Sequence, residues 1–386
     1  MARAAVVEAY GRIAEIGKAA WDSCAKNPAY LSNPFICFDF LEAAEASGSA
    51  SERTGWGPRH LVVREDAGEA IGVMPIYLKA HSRGEYVFDW SWADAYQRAG
   101  GRYYPKLLCA APFTPATGPR LLVREGGGDE VRRTLLAGAL QLCAQTEASG
   151  LHVTFPTEAE WKLLGAEGLL QRQDQQYHWV NPGYADFDAY LAALSSGHRK
   201  TIRRERREAQ AGLAIHALTG ADLKEEHWDA FFRFYMDTGS RKWGTPYLNR
   251  RFYSLLGERM GDRVLLVMAR RDGEWIAGAL NLIGGDCLYG RYWGCTVDVP
   301  FLHFELCYYQ AIEHAIRLGL SRVEAGAQGQ HKIARGYLPQ AVYSAHYIAD
   351  PALREPVARY LDQERAAVRQ EMAWLTEEYS PFKQDG

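Results

Sequence analysis

The sequence predicts an α/β (α+β) protein of two related domains, in which mixed, mostly antiparallel sheets are flanked by helices. Two stretches, 61–77 and 266–282, each contain an apolar strand, a turn with Gly and Glu, and a second apolar strand, which is the pattern of a β-hairpin. An aromatic strand is predicted to follow each hairpin, at 85–90 and at 287–293. A pattern that occurs twice in this order indicates a duplicated domain.

Helices are predicted where apolar residues recur at helical spacing. The stretches 130–148 and 303–318 are amphipathic, and each ends at a glycine before a short strand. The tail, 355–378, places apolar residues at roughly heptad spacing. A helix that packs on its own domain is favoured there over a dimer seam, so the chain is expected to be a monomer or a homodimer.

The length of 386 residues exceeds that of a typical single domain. A Pro-Gly pair at 182–183 marks a turn between the two repeats. We therefore predict a first domain at 1–180 and a second domain at 181–386, which includes the C-terminal helix. Within the first domain, 90–120 is aromatic and shows little periodicity, so it is interpreted as a long insertion.

The composition excludes several classes of protein. The formal net charge is −3, from 44 Lys and Arg against 47 Asp and Glu, which gives no global attraction to DNA or to a membrane surface. No apolar run approaches the roughly 18 residues of a membrane span, and the first residues do not resemble a secretion signal. The seven cysteines are scattered without a CxxC pair, which indicates free thiols in a reducing compartment and no metal site. A cytoplasmic, enzyme-sized protein is the expectation.

A basic segment at 198–207 contrasts with the slightly acidic chain, because it holds six Lys or Arg in ten residues. On a helix these cations form two adjoining rows. Such rows are typical of a surface that contacts the phosphates of a nucleotide, a CoA tail or an RNA backbone. The alternative is a solvated helix face. The candidate ligands of donor phosphates are Arg199, Lys200, Arg203 and Arg204.

The stretch 324–337 is the densest in groups that bind ligands. Three glycines lie among a carboxylate, two glutamines, a histidine, a lysine and an arginine, and glycine lets a backbone approach a ligand closely. The stretch follows a strand-like segment at 321–324, and ligands of α/β sheets bind at such strand ends. A polar turn is the alternative. The candidate ligands are Glu324, Gln328, Gln330, His331, Lys332 and Arg335.

Two residues at the start of the predicted helix 303–318 are candidates for catalysis. Glu305 lies in the first turn, where the helix dipole favours a negative charge. It is either placed there for that reason or is a carboxylate at the mouth of a site, beside Arg291 and Trp293. His303 is either a helix cap or a base.

The order of these segments resembles that of the Fem-type aminoacyltransferases, which consist of two domains of the GNAT acetyltransferase fold. The closing Glu324-Ala-Gly-Ala, followed by Lys332 and Gly336, is similar to the Asp-Phe-Gly-Gly stretch with a Lys and a Gly in that family. More closely, residues 30–385 resemble the FemAB-like subfamily. The motifs that carry this resemblance are Lys79-Ala-His-Ser-Arg-Gly-Glu-Tyr-Val-Phe-Asp, Tyr103-Tyr-Pro-Lys-Leu, Pro112-Phe-Thr-Pro, Arg291-Tyr-Trp-Gly, His303-Phe-Glu and Gly326-Ala-Gln-Gly-Gln-His-Lys.

The resemblance implies tandem GNAT-like domains and an N-acyltransferase or aminoacyltransferase related to peptidoglycan. Its co-substrate is expected to be an acyl-CoA or an aminoacyl-tRNA, with no tightly bound cofactor, and its acceptor is expected to be an amine of a small molecule or a peptide. Three features depart from the family. Glu324-Ala-Gly-Ala replaces Asp-Phe-Gly-Gly, the two-helix arm that some Fem enzymes use with tRNA has no clear counterpart, and 297–305 has no glycine to cradle a CoA pyrophosphate. The alternatives are a ligand-binding protein of this fold without catalysis and a plain acetyl-CoA-dependent N-acetyltransferase.

In this interpretation Glu305 relays the proton of the attacking amine, with His303 in reserve and Glu324 as a further catalytic carboxylate. Lys332 and Arg335 hold a carboxylate or phosphate of the acceptor. The first domain is expected to line the cleft with Lys79, His81, Tyr86, Asp89, Trp92, Tyr103, Tyr104 and Lys106. The second domain is expected to add Arg291, Trp293, Gln328, Gln330 and His331.

Overall fold

The computed structural model describes residues 6–65, 68–242, 246–326 and 329–383 of the chain. The chain forms two compact units. Unit 1 consists of Met1–Asp174 and Ala341–Arg369, and unit 2 consists of Gln175–Gln340 and Gln370–Gly386. The predicted boundary after residue 180 lies close to the first of these junctions, but unit 1 also contains a segment from the second half of the sequence.

The first half of the chain has short, mostly buried strands. The strands are β1 (Val6–Tyr10), β2 (Trp56–Pro58), β3 (His60–Arg64), β4 (Ala70–Met74), β5 (Ile76–Lys79), β6 (Lys106–Cys109), β7 (Leu122–Val123), β8 (Gly150–Thr154) and β9 (Leu170–Val180). The helices are α1 (Ile13–Ile16), α2 (Lys18–Ala25), α3 (Phe38–Ala46), α4 (Trp90–Arg98), α5 (Asp129–Gln145) and α6 (Glu158–Ala166).

The second half has longer strands and longer helices. The strands are β10 (Ala214–Leu218), β11 (Val264–Arg271), β12 (Glu274–Ile283), β13 (Cys287–Cys295), β14 (Arg322–Glu324) and β15 (Tyr337–Ile348). The helices are α7 (Phe187–Ala193), α8 (Ser196–Gln210), α9 (Glu225–Lys242), α10 (Arg250–Met260), α11 (Leu302–Phe304), α12 (Gln310–Arg317) and α13 (Pro351–Tyr379).

Unit 1 builds its sheets around the first predicted hairpin, which the structure confirms. β3 and β4 pair antiparallel, and β1 and β7 flank them. β2, β5 and β6 form a second antiparallel group, and β6 then runs parallel to β8. Because parallel neighbours need a crossover connection, a helix (α5) lies between β6 and β8 in the sequence. Its residues Leu135, Leu136 and Ala139 share one core with Leu107 and Leu151.

Unit 2 repeats this order around the second predicted hairpin, which is also confirmed. β10, β11, β12 and β13 are antiparallel neighbours, and β13 then runs parallel to β14. The crossover helix begins as α11, passes through a π-helical turn at Glu305–Tyr309 and continues as α12. Leu306 and Ala311 of this helix share one core with Leu288 and Val323.

In each unit a strand from the other half of the sequence completes the sheet. β8 pairs antiparallel with the second part of β15, so that Ser344–Ile348 lie opposite Gly150–Thr154. β14 pairs in the same way with the end of β9, where Arg322 lies opposite Val180. We call this arrangement the strand exchange. It explains why the division between the units falls within β9 and again within β15.

Two predictions for the first half were wrong. Residues 85–90 do not form a strand, because Gly84 and Tyr86 have φ of 82° and 61°, outside the extended region, and α4 begins at Trp90. The third strand of the sheet is β6, which lies within 90–120. That region is therefore not an insertion of little regular structure, since it supplies a helix and a central strand.

The predicted C-terminal helix forms as α13 and is longer than expected. Val357, Leu361 and Leu375 are buried, so three residues of the predicted apolar stripe pack within the chain. Val357 and Leu361 share a core with Trp92 and Tyr103 of unit 1, and Leu375 lies in the core of unit 2, so the helix is not confined to the predicted second domain.

Two findings bear on the composition. Within the part of the chain that the structure describes, no helix is both long and apolar enough to span a membrane. The seven cysteines are free thiols, as predicted, and four of them are buried.

Candidate active site

The candidate site lies in unit 2, where β13 and β14 separate. The two parallel strands pair only from Cys287 to Tyr289, whereas β13 continues to Cys295 in its pairing with β12. Among the described residues, β13 therefore runs on past the last residue that pairs with β14. We call the place where the two strands separate the fork. Ligands of α/β sheets often bind where neighbouring strands separate.

A β-bulge at the fork turns the side chain of Arg291. The pairing of β13 with β12 skips one residue between Gly290 and Tyr292, so Arg291 is the extra residue. Bulges of this kind redirect a side chain. A terminal nitrogen of Arg291 is 3.4 Å from the backbone oxygen of Glu324, which brings two of the predicted site residues together across the fork.

Glu324 is the last residue of β14 and is completely buried. Within the described part of the chain, neither oxygen of its carboxylate has a hydrogen-bond partner. An ion pair links Oε1 to Nε of Arg322 at 3.5 Å, and Arg322 also pairs with Asp286. A buried carboxylate with so little compensation is costly, which marks Glu324 as a functional candidate.

His178 was not among the predicted residues, yet it lies directly opposite Glu324, on β9. Burial lowers the pKa of His178, and the charge of Glu324 opposes this shift. The cations of Arg322, Arg291 and Lys332 lower the pKa further. The buried imidazole is therefore neutral at neutral pH and lies within electrostatic reach of the whole group.

Lys332 is buried in the segment that follows β14. Its Nζ donates to the backbone oxygen of Gly326 at 3.0 Å. Gly326 and Gly329 have φ of 82° and 116°, where glycine is favoured, and they let the chain turn between β14 and the short 3₁₀ helix Gln330–Arg335. Burial lowers the pKa of Lys332 to about 7, and the charge of Arg291 adds to this shift. The two neighbouring cations define a place that favours a bound anion.

Arg335, the second predicted anion ligand, is already paired. Its Nη2 donates to both carboxylate oxygens of Glu205 at 2.9 Å, and its Nε donates to the hydroxyl of Tyr309 at 2.9 Å. Its Nη1 donates to the backbone oxygen of His331 at 2.7 Å. These bonds tie the segment that carries Lys332 to α8, so the geometry favours a structural role for Arg335 over contact with an acceptor.

Glu305, the predicted proton relay, is fully buried and surrounded by hydrogen-bond donors. Arg206 binds it through two nitrogens, with Nε 3.1 Å from Oε2 and Nη2 3.0 Å from Oε1. Gln210 and Gln310 donate to Oε1 at 2.9 and 2.8 Å. These hydrogen bonds occupy both oxygens of the carboxylate. The geometry therefore favours a structural ion pair between α8 and the π-helical turn.

His303, Trp293 and His331 lie in one aromatic group with Tyr308. The centre of the His303 ring is 5.3 Å from that of Trp293 and 5.3 Å from that of Tyr308. The hydroxyl of Tyr308 is 3.0 Å from Nε2 of His331, whose side chain is exposed. The group is a candidate wall for an acceptor, and the role of His303 as a base stays a prediction.

The two predicted glutamine ligands add little. Gln330 begins the 3₁₀ helix and is exposed. Gln328 lies outside the described residues, so its role stays a prediction.

The basic helix forms as predicted, as α8. Lys200, Arg203 and Arg204 are exposed, and Arg199 is half-buried. Arg203 contacts Asp188 at 3.3 Å, a pair in which both side chains are largely exposed. The contact with donor phosphates stays a prediction.

The predicted residues of the first half form a separate group in unit 1, centred on the buried Lys106. Its Nζ donates to Oγ of Ser82 at 2.8 Å, to Oε2 of Glu85 at 2.7 Å and to Oδ2 of Asp89. Asp89 also accepts from the hydroxyl of Tyr103 at 2.7 Å. Burial raises the pKa of Asp89, but the pairing with Lys106 lowers it, and the net effect holds the pKa of this carboxyl below its usual range. We call these five residues the Lys106 network.

Lys79 lies opposite Lys106, on β5, and is also fully buried. Its Nζ is 3.7 Å from the centre of the Trp56 ring and 3.8 Å from the carboxylate of Glu85. Burial lowers the pKa of Lys79 to about 6.

Three further predicted residues border the Lys106 network. Tyr104 joins it through a 2.8 Å hydrogen bond with Ser82. His81 is half-buried, and its Nε2 is 3.0 Å from the backbone oxygen of Thr54. Tyr86 is half-buried in the loop between β5 and α4.

A histidine pair lies in unit 1 at the place that corresponds to Glu324 and His178. His346 on β15 is directly opposite His152 on β8, and their Nδ1 atoms are 2.8 Å apart. The predicted residue Trp92 packs edge-on against His346, with ring centres 5.0 Å apart. Burial lowers the pKa of His152 to about 3, so this pair carries no charge at neutral pH.

Two units that each combine an antiparallel hairpin, a crossover helix and a parallel strand define a protein of tandem GNAT-like domains. The chain belongs to the FemAB-like family, which is described as peptidoglycan biosynthesis/recognition and whose model matches residues 12–384. Family and fold together support an acyltransferase at the level of class.

Several solved structures resemble the chain over most of its length. FemX is 13% identical with a TM-score of 0.55, and the match covers 89% of this chain and 98% of that one. A protein of unknown function from Bacteroides thetaiotaomicron is 10% identical with a TM-score of 0.54, covering 88% and 99%. L-PGS from Bacillus licheniformis is 10% identical with a TM-score of 0.50, covering 86% and 98%. At these identities the likeness is one of fold. No curated protein matches the chain in sequence.

Proposed function

We propose that the protein is an N-acyltransferase that moves an activated acyl or aminoacyl group from an acyl-CoA or an aminoacyl-tRNA to an amine of a small molecule or a peptide. The bond formed is an amide, and the reaction takes place at the fork in unit 2. One observation carries the proposal: where β13 and β14 separate, two cations meet a buried carboxylate that has no hydrogen-bond partner among the described residues. Membership of the FemAB-like family supports an acceptor related to peptidoglycan.

Acyl transfer first requires donors for the oxyanion that develops on the carbonyl. Backbone N–H groups that are already aimed at it act in this way, and the loss of one such donor lowers kcat by about 10²–10³-fold. The pairing of β13 with β14 ends at Tyr289. We propose that a thioester or ester binds at this fork, with its carbonyl close to the attacking amine.

The acceptor also needs a fixed position, and Lys332 with Arg291 supports one. The charge of Arg291 lowers the pKa of Lys332, so the two cations repel each other. A carboxylate or phosphate of the acceptor bound beside both would offset this repulsion. We therefore retain Lys332 as the proposed ligand of the acceptor anion, whereas Arg335 is engaged by Glu205.

The exposed cations of α8 suit the phosphates of the donor. Lys200, Arg203 and Arg204 project from one helix in the same unit as the fork. Contacts between exposed cations and phosphates weaken as salt rises. The KM for either donor is therefore expected to increase with ionic strength.

An assay with labelled donors tests the proposal. The purified protein is incubated with aminoacyl-tRNAs or acyl-CoAs and with amine acceptors that include peptidoglycan precursors, and amide products are identified by mass spectrometry. Lys332→Met is expected to raise the acceptor KM by about tenfold or more, because a charge-assisted hydrogen bond contributes about 1.5–3 kcal/mol. Lys224→Met removes an exposed lysine of the same unit and should behave as the wild type.

The absence of an amide product with every donor and acceptor would overturn the proposal. If one of these compounds then raised the melting temperature by mass action without turnover, the protein would be a ligand-binding member of this fold.

A further inference from the structure

We infer that His178 is the base that takes the proton of the attacking amine, and that Glu324 is the positioning residue that stabilises the protonated form of His178. The inference rests on the proposed function and names the group that moves the proton. It also makes the active site depend on the strand exchange, since β9 brings His178 from the first half of the sequence to unit 2.

The strand register places the two side chains together. His178 lies directly opposite Glu324 in the antiparallel pairing of β9 with β14. Directly opposed residues in such a pairing have Cβ atoms about 4.5–5.5 Å apart and project from the same face. On its other side Glu324 lies opposite Tyr289, the last residue of β13 that pairs with β14. The pair therefore forms the final row before the fork.

The carboxylate of Glu324 is suited to a histidine that becomes charged. It is fully buried, and within the described part of the chain both oxygens lack a hydrogen bond. Its ion-pair partner Arg322 is shared with Asp286. A proton held on the neighbouring imidazole would supply the donor that the carboxylate lacks, and charge-assisted hydrogen bonds are about twice as strong as neutral ones.

Among the described residues, the ring of His178 makes only a weak hydrogen bond, so it can gain or lose a proton. Nε2 is 3.5 Å from Oε1 of Gln176, which is at the limit of a hydrogen bond. Glu305, in contrast, receives four hydrogen bonds and is paired with Arg206. Of the two groups, His178 is the one that can accept a proton without breaking an ion pair.

The bonds and the proton of the proposed reaction are accounted for without a further reactant. The lone pair of the acceptor amine forms the C–N bond, and the C–O bond of an aminoacyl ester or the C–S bond of a thioester breaks. The proton of the amine passes to His178. His178 then gives this proton to the departing alkoxide or thiolate and returns to its neutral form, as one group that serves as base and then as acid.

The electrostatics of His178 set the direction of the pH dependence. Glu324 and Arg322 on β14, Arg291 on β13 and Lys332 after β14 all act on the ring. Burial and the three cations lower its pKa below the ordinary value of 6.5, and Glu324 alone of these groups raises it. The value of kcat should therefore show an acid limb, because it falls as the pH drops through the lowered pKa of His178. Removing the charge of Glu324 should move this acid limb to still lower pH.

The corresponding pair of opposed residues in unit 1 contains no carboxylate. His346 also arrives on an exchanged strand, but it faces His152, and the two rings contact each other at 2.8 Å. Nε2 of His346 is 2.9 Å from Oγ of Ser344. The histidine of unit 1 is therefore bonded on both ring nitrogens, whereas His178 faces an unsatisfied carboxylate.

The test uses the full-length protein with the variants His178→Gln and Glu324→Gln. His178→Gln should lower kcat by about 10²–10⁴-fold, the range of general base catalysis, with little change in the acceptor KM. Glu324→Gln should keep the acid limb but shift it to lower pH. Heteronuclear NMR of ring-labelled histidine should show the titration of His178 at lower pH in Glu324→Gln than in the wild type, with no substrate present. His216→Gln, on β10, where the histidine is half-buried, is the matched control.

The results distinguish a failure of the proposed function from a failure of the role assigned to His178. If the wild type transfers acyl groups and His178→Gln keeps its kcat and its pH profile, His178 is not the base. If His178→Gln does not fold, an acid limb that does not move in Glu324→Gln overturns the inference as well. If the wild type transfers nothing, the proposed function fails. In that case the NMR titration still tests the His178–Glu324 pair, and an unmoved titration rejects it.

Discussion

Unit 1 and unit 2 place a pair of side chains at the same point of the same topology, and the two pairs differ in how they are satisfied. In unit 1 the pair is His152 and His346, which bond each other beside carboxylates that Lys106 binds. In unit 2 the pair is His178 and Glu324, and no described residue donates a hydrogen bond to this carboxylate. A buried pair whose members bond each other stabilises a fold, whereas an acceptor that its partner does not bond is available for chemistry. The two units therefore share one strand topology. They differ in the two polar residues that face each other across the exchanged strand, and this difference gives the units different roles.

The largest effect is expected in unit 1. Lys106→Met would leave Glu85 and Asp89 buried without their shared cation, and removal of one partner from a buried pair costs about 3–5 kcal/mol. The free energy of unfolding in urea, followed by circular dichroism, measures this loss. Lys162→Met removes an exposed lysine of unit 1 and should leave the midpoint unchanged. A loss below about 1 kcal/mol, the range of exposed pairs, would show that the Lys106 network contributes little.

The second prediction tests whether Glu305 is structural. Glu305→Gln replaces the carboxylate that Arg206 binds through two nitrogens, so a loss of about 1.5–3 kcal/mol in the free energy of unfolding is expected. Glu313 also contacts Arg206, at 2.7 Å, but is partly exposed, so Glu313→Gln should lose less. Equal losses in the two variants would contradict a special role for the buried pair.

Both units bury a lysine, and each should change how stability depends on pH. The pKa is about 7 for Lys332 and about 6 for Lys79, against an ordinary value of 10.5. Between the folded and the unfolded pKa, the unfolded chain holds a proton that the folded chain has released. Stability therefore rises with pH over this interval through each group.

Unfolding midpoints from pH 6 to about 9 measure this slope. Lys332→Met should flatten it above about pH 7, and Lys79→Met should flatten it from about pH 6 upward. Lys224→Met is the control and should keep the slope of the wild type. A slope that neither buried-lysine variant changes would mean that both amines keep their protons in the folded protein.

The smallest effect on stability is expected on the surface of α8. Lys200→Ala and Arg203→Ala should leave the unfolding midpoint unchanged, because exposed ion pairs contribute little. Both variants should nevertheless raise the donor KM at low salt and weaken its dependence on salt. A donor KM equal to that of the wild type at low salt would remove α8 from the donor surface.

The fold can be predicted where a pattern is local. The hairpins at 61–77 and 266–282 are visible because strand period and turn residues lie next to each other in the sequence. Residues 85–90 alternate aromatic side chains and so imitate a strand, but the positive φ of Tyr86 is not visible in that alternation. The strand β6 escapes prediction because it has four residues and begins with a lysine that is buried.

The site can be predicted only in part, because its contacts are distant in sequence. Glu324 and Lys332 stand out as a strand end followed by a glycine-bearing segment, which is a local signal. His178 does not, because the register that sets it opposite Glu324 joins the two halves of the chain. The signal available is a polar residue between the aromatic Tyr177 and Trp179. The ion pair of Glu305 is equally hidden, because its partner Arg206 lies 99 positions earlier.

The strand exchange has a consequence for how the protein can be made. A fragment that ends after Gly183 would keep β8 without its partner β15, and the remaining fragment would keep β14 without its partner β9. Each would expose an unpaired strand edge, which promotes aggregation. Expressed together, the two fragments would supply each other with the missing strand. Each fragment is thus expected to fold only when it is co-expressed with the other. A gene split at this point would encode two chains that fold only as a complex.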